Sequence, residues 1–353
     1  MTLSAVIERS RRDKEDWKYT DLVTLLKTPR PRSASFKSHA KNSDARLVFL
    51  NGVWQAKLSR FGSVPSCILM GDLESGYSLT LGEQTCLVSQ PVELVFATDK
   101  NAPKEIALKF SIDIGNNGRL TLLEKYLASD VPTTVETDVT LHPHAKFVHG
   151  KIMSGGVHIA THKVHAATGC YYSNFSILRG GVPVRNELDV FLEGEEAQAS
   201  LGGIMLLRGR EHADTVTRVT HQAPRCTSRQ IYKTVLDEKS RGVFQGRITV
   251  AEGAQKSDGY QLSRALLLSD QAEMDAKPEL EIFADDVKCS HGSAIGDLDE
   301  NAMFYLRSRG ISEAQARALL IEGFVAETLD EIRIEEWREI FRKEVEGQIH
   351  DLA

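Results

Sequence analysis

The chain has 353 residues, 41% hydrophobic and 26% charged, with a formal net charge of -6. Such a composition fits an ordinary soluble protein, long enough to bury a substantial core as one elongated domain or two compact ones. The acidic balance argues against nucleic acid: the one stretch rich in Arg and Lys, Arg9 to Lys18, is interrupted by Asp13, Glu15 and Asp16, so no basic stripe is available to displace counterions.

The opening residues, Met1 to Asp13, carry too short an apolar run and too early a charge for a signal peptide. No later segment approaches the ~20 apolar residues of a membrane span. Five scattered cysteines (67, 86, 170, 226 and 289), none in a C-x-x-C pair, disfavour a disulfide framework or a self-contained zinc or cluster site. These features together predict a reducing cytoplasm.

Residues 1-45 read as an N-terminal helical segment and linker. Leu3, Val6 and Ile7, then Trp17, Leu22, Leu25 and Leu26, suit short helices, whereas Thr28-Pro-Arg-Pro-Arg-Ser-Ala-Ser35 cannot be helical.

Residues 46-296 repeat one small pattern: a short alternating strand, a polar turn with Gly, Ala or Asn, and another strand. Taking Gly118, Ala145, Gly169, Ala197, Ala223 and Ala254 as markers, the intervals are 27, 24, 28, 26 and 31 residues. A quasi-period of that length points to a solenoid, because one repeat cannot bury its own face and must stack on the next. The rival is a β-sandwich with turns every 8-12 residues. The longer period and the near absence of helical periodicity favour a parallel β-helix.

At the end of this region lies Leu280-Glu-Ile-Phe-Ala-Asp-Asp-Val-Lys-Cys-Ser-His-Gly-Ser-Ala-Ile-Gly296. Alternation along a strand puts Cys289 and His291 on one face and Lys288 and Ser290 on the other. Two ligands fall short of the four of a closed metal or cluster site, so the residues alone favour a buried thiol and a core histidine. His142 with His144, and His158 with His162, also share strand faces, yet neither pair has an acidic or Cys neighbour in sequence. Both pairs read as surface or turn histidines.

Other chemistry finds little support. Gly253-Ala-Gln-Lys-Ser257 is the nearest approach to a P-loop, but Gln255 and Val250 stand where glycines are required, so no phosphate cradle forms. Asp285 and Asp286 are adjacent, and on a strand they would face opposite sides, unable to flank one glycosidic bond. No Ser-His-Asp set or nucleophile elbow presents itself.

Helical signals return over 297-353. Asp299 can cap a helix running to Arg309 with Gly310 as its stop, and Ser312 with Gln315 forms a capping box. Ala316, Leu319, Leu320, Gly323 and Phe324 form one stripe of the second helix, and Ile334, Trp337, Phe341 and Val345 one of the third. Two readings stand side by side: the stripes are core, as such stripes usually are, or three helices capping a solenoid end expose one of them to a partner.

Leu280 to Gly296, followed by Phe304-Tyr-Leu-Arg-Ser-Arg-Gly-Ile311, resembles nearly residue for residue the C-terminal signature of the SufB/SufD family of iron-sulfur cluster assembly proteins. Asp16-Trp-Lys-Tyr-Thr-Asp-Leu22 resembles its SufD branch. The resemblance implies a right-handed parallel β-helix with a C-terminal helical domain. It implies a non-enzymatic scaffold that pairs with a SufB-like subunit through the β-helix, with a homodimer open to it in isolation, and that docks the SufC ATPase on its C-terminal helices. Phe304, Tyr305, Arg307 and Arg309 are of the types enriched at interface hot spots and are the expected SufC contacts. The nascent iron-sulfur cluster would be transient and shared with SufB, with His291, and Cys289 beside it, as the assembly residues. No tightly bound cofactor is expected, and a flavin is allowed in the complex. The alternatives are a self-sufficient SufB-like cluster scaffold and a β-helical carbohydrate-active enzyme.

Overall fold

From Ala45 to Asp297 strand follows strand, with no intervening helix among the described residues. The local cause is alternation: Ile106-Ala-Leu-Lys-Phe-Ser-Ile-Asp-Ile114 buries every second residue, as a half-buried strand must. The computed structural model describes residues 1-27, 45-60, 67-72, 74-83 and 86-352. The linker read over Thr28 to Ser35 lies outside them.

Successive strands are dealt alternately to two sheets, so each hydrogen-bonds to the next strand but one. Ten strands form the first sheet, here sheet A, and nine form the second, sheet B. Pairing is parallel except at the first turn, where Ala45–Leu50 meets Val53–Trp54 and Cys67–Asp72 meets Gly76–Leu81 antiparallel. In register, Lys146, Tyr171, Gln198, Thr227, Asp258 and Lys288 stack one above another, giving rungs of 25, 27, 29, 31 and 30 residues. The architecture is a β-helix of about seven turns.

The six repeat markers all fall in the corner leading from sheet B to sheet A. One residue per corner is left-handed: Asn117, His144, Gly169, Glu196, Arg225 and Lys256, with φ between 57° and 65°. A side chain there costs roughly 1-2 kcal/mol. The offset is a ladder of backbone bonds, each of these N–H groups donating to the corner carbonyl of the next rung, from Asn117 to Pro143 up to Lys256 to Asp286.

Three layers of packing follow. Inside, residues of both sheets interdigitate in one continuous core from Leu47 to Phe244. On the outer face of sheet A, Leu123, Ile152, Phe175, Ile177, Ile204, Leu206, Val235 and Leu266 meet two long helices, α4 (Glu313–Asp330) and α5 (Glu335–Leu352). These helices lie along the sheet and back to the Leu123 rung; they do not cap an end. Gly150 lets α5 approach, since a Cβ there would sit 2.3 Å from Trp337 Cζ3. α4 buries Ala316, Ala318, Ile321, Val325, Thr328 and Leu329, with Leu319 47% exposed, because the sheet and not the end of the solenoid decides which face turns inward.

The N-terminal segment, with helices α1 (Leu3–Arg12) and α2 (Leu22–Leu25), covers part of the outer face of sheet B. Trp17 is buried with the Arg185 guanidinium 3.8 Å above its ring. Arg185 Nη2 donates to the Asp16 carbonyl at 2.9 Å, and Gln245 Nε2 to the same oxygen at 3.0 Å. Thr20 Oγ1 donates to Asp214 Oδ2 at 2.6 Å and contacts His212 Nε2 at 3.0 Å. The Trp17 to Thr20 block is thus an intramolecular clasp. Beneath it Arg185 is fully buried between Glu187 (2.6 Å) and Asp214, and Arg9 reaches Glu187 at 2.6 Å.

Candidate functional site

Cys289 and His291 stand on Lys288–Asp297, the last strand of sheet A, which among the described residues pairs on one side only, with Asp258–Leu267. The register sets Cys289 opposite Gly259 and His291 opposite Gln261, both of which face the interior. Followed down the solenoid, the His291 column is Gln261, Gln230, Leu201, Asn174 and His149, every one of them buried. The Cys289 column is Gly259, Ser228, Ala199, Tyr172 and Phe147. The thiol and imidazole therefore occupy core positions. His291 is exposed and Cys289 half-buried only because no further rung is stacked above them.

The facing strand, Glu273–Ile282, ends sheet B in the same way. Its Met274, Ala276, Pro278, Leu280 and Ile282 lie opposite the inward Gly242, Phe244, Gly246, Ile248 and Val250. Pro278 has no N–H and is tolerated because the far side of the strand has no partner. The last rung thus offers two open hydrogen-bonding edges around a cross-section of core, with Ile282 42%, Phe283 65% and Ile295 48% exposed. Burial against the cluster of Ile248, Val250, Ala254 and Ala284 pushes the Cys289 thiol up, away from the thiolate form that binds metals.

Directly below His291, Gln261 fits because Gly246 has no side chain: a Cβ there would fall 1.8 Å from Gln261 Nε2. Gln261 donates to Gln230 Oε1 at 3.4 Å, which also accepts from Thr217 at 2.7 Å. Sequence reasoning passes over these residues, since an amide on a strand carries no signal until its column is known.

A second exposed feature adjoins the rung. Asp299 caps α3 (Glu300–Ser308), accepting from the Asn301 and Ala302 amides, and Gly310 ends it at φ 86°. No residue of α3 is buried. Phe304 is 75% and Tyr305 57% exposed, Arg309 lies 5.2 Å over the Tyr305 ring, and Arg307 pairs with Glu313 at 3.5 Å. Phe304 and Arg307 line a groove of about 890 Å³ with Leu267, Leu268, Leu298 and Met303. The structure thus brings the two sets of sequence-derived residues to neighbouring parts of one end of the molecule.

The other histidines divide. His142 and His144 lie exposed at a corner, as read. His158 and His162 do not: they are 1% and 0% exposed, because their strand sends residues 158, 160 and 162 into the core. Gly253 to Ser257 is a corner followed by strand Asp258–Leu267, so no helix N-terminus stands behind it to hold phosphate. Asp285 and Asp286 belong to the loop between the last two strands, not to a strand.

Comparison with known proteins decides the family. The family described as SUF system FeS cluster assembly, SufBD core domain, matches residues 96-324, well over half of the chain. The chain belongs to the SufBD family. Similar proteins include an iron-sulfur cluster assembly SufBD family protein of Synechocystis, 27% identical over 90% of this chain and 83% of that one. The iron-sulfur cluster assembly proteins SufD of Escherichia coli and Bacillus subtilis are 32% and 26% identical, each over 70% of this chain. This SufBD chain aligns with only 60% and 58% of the length of those two relatives. The matched region holds the open rung and α3, whereas the N-terminal clasp precedes it. Among the described residues no helix is long and apolar enough to cross a membrane.

Proposed function

We propose that this chain is a scaffold subunit without ATPase activity in an iron-sulfur assembly complex of the SufB-SufC-SufD kind. The observation that carries the reading is the open last rung, which presents a thiol and an imidazole from core positions at an uncovered end. A SufB-like chain of the same fold would cover the end, pair with the two free edges by β-augmentation, and bring further thiolates to Cys289 and His291. The site is incomplete on one chain, so the cluster is cargo held transiently at the junction, with no cofactor bound tightly to this chain alone. A flavin elsewhere in the complex is compatible with this division of labour. The exposed helix α3 and its groove suit an ATPase subunit such as SufC, since this chain has no phosphate cradle of its own.

The interface is tested by Ile295→Lys. This side chain is 48% exposed with no rung above it, so the variant should fold normally yet bind the SufB-like chain at least about 30-fold more weakly, the size of an interface hot spot. Unchanged association by size-exclusion or calorimetry would remove the proposed junction. In the same assay Phe304→Ala with Tyr305→Ala should leave that pairing intact and reduce SufC binding by about 30-fold or more. Undiminished SufC capture would place the ATPase elsewhere.

A further inference from the structure

Deep in the solenoid, several rungs from the open end, is a cluster of ionisable side chains that the assembly role does not use. Glu124, His149 and His162 point inward from strands Arg119–Tyr126, Lys146–Ser154 and His158–Ala166, and none is more than 1% exposed. His162 Nε2 lies 2.9 Å and His149 Nε2 3.3 Å from the same oxygen, Glu124 Oε1. One donor atom from each of the three falls within 4.8 Å of the others.

Two features distinguish this cluster from a buried ion pair. The first is an orphan: His149 Nε2 is buried and makes no hydrogen bond, although it is aimed at the carboxylate. The second is an outer layer that holds each member in place. His149 Nδ1 contacts Tyr172 Oη at 3.1 Å, and Tyr126 Oη donates to Glu124 Oε2 at 2.8 Å. Lys151 Nζ contacts His162 Nδ1 at 2.9 Å and donates to Asn186 Oδ1 at 2.7 Å. The far nitrogen of His149 and the far oxygen of Glu124 are each tied to a tyrosine hydroxyl, as outer-layer partners tie the ligands of metal centres.

We propose that Glu124, His149 and His162 form an internal site for one divalent cation of the zinc or iron(II) type. Two imidazoles and one carboxylate suit these ions, whereas calcium and magnesium require oxygen shells. The proton balance is explicit. Without metal, Lys151 donates to His162 Nδ1, so the ring proton is on Nε2 and is shared with Glu124. On loading, the Nε2 proton leaves and the cation takes the freed lone pair, while Lys151 Nζ stays hydrogen-bonded to Nδ1. One proton is released per cation, and the buried charge rises by one rather than two.

The site is independent of the open rung, and its test is separate. The full-length, untagged chain would be produced in zinc-supplemented cells, purified without chelator, and assayed for zinc and iron by mass spectrometry and X-ray absorption. The expected result is close to one zinc or iron per chain, with nitrogen and oxygen neighbours including two imidazoles and no sulfur. His149→Ala should lose the metal, and His291→Ala and Cys289→Ala should keep it. Absence of both metals, a sulfur neighbour, or loss of the metal in His291→Ala would overturn the proposal. The last two measurements do not depend on His149→Ala folding.

Discussion

Replacing His291 with alanine is expected to lower the iron and sulfide content of the assembled complex at least about tenfold, since even indirect disturbance of a metal ligand costs that much. Folding and partner binding should barely change. The imidazole has no rung above it, and the most it contributes to the isolated chain is one hydrogen bond, ~1 kcal/mol. Were it merely a core residue, the pattern would invert, with a lower melting temperature and normal cluster content per folded complex. Measuring both quantities on one preparation decides the matter, and normal cluster content in a properly assembled His291→Ala complex would end the functional claim. Cys289→Ala should have the smaller effect, because a SufB-like partner can bring thiolates whereas the imidazole supplies a different ligand or a proton carrier.

The largest stability effect is expected at Arg185. It is fully buried between Glu187 and Asp214 with Trp17 stacked on it. Arg185→Ala leaves two buried carboxylates short of their cation and removes the platform of the clasp, for a loss of about 3-5 kcal/mol. Urea unfolding at neutral pH measures it, and a loss below about 1 kcal/mol would mean that water or Arg9 replaces the guanidinium. The acid limb gives a second readout. Burial alone would raise the Glu187 carboxyl, but Arg185 and Arg9 overcome it and hold it at about 2. A depressed carboxyl stabilises above its ordinary range near 4.5 and loses that contribution as pH falls toward 2. Asp214, which burial pushes up, opposes part of this. The Arg185→Ala variant should lose much of the Glu187 contribution.

Much of this structure was legible in local sequence. The six markers identify one corner of the solenoid because the left-handed turn there recurs in six successive rungs, and strand alternation puts Cys289 and His291 on one face. What no local pattern specifies is which face is inward and where stacking stops. Cys289 and His291 are core residues by column and exposed by position, a combination that requires the rung count. His162 is inward for the same reason, and its neighbours Glu124 and His149 come from other strands, so a search for nearby ligands misses them. The Trp17 block is recognisable as a motif, but its purchase on Arg185 and Asp214 spans some 170 to 200 residues of sequence. Of the α4 stripe, Ala316 and Phe324 do pack inward but Leu319 does not, because the outer face of sheet A, not the end of the solenoid, chooses the buried side.

The two ends of the solenoid differ in kind. At the first turn the chain doubles back, Val53–Trp54 against Ala45–Leu50 and Cys67–Asp72 against Gly76–Leu81, so the parallel ladder is closed off by short antiparallel strands. At the last turn it is cut off bare. Head-to-tail stacking would require a complementary edge at both ends, and continued stacking of that sort is how fibres grow. Association through the parallel edges of the last rung, the pairing proposed above, would join two chains end to end, because the first turn offers only short antiparallel strands. Such a pairing would be self-limiting, and the surface it would cover is the one where Cys289 and His291 lie.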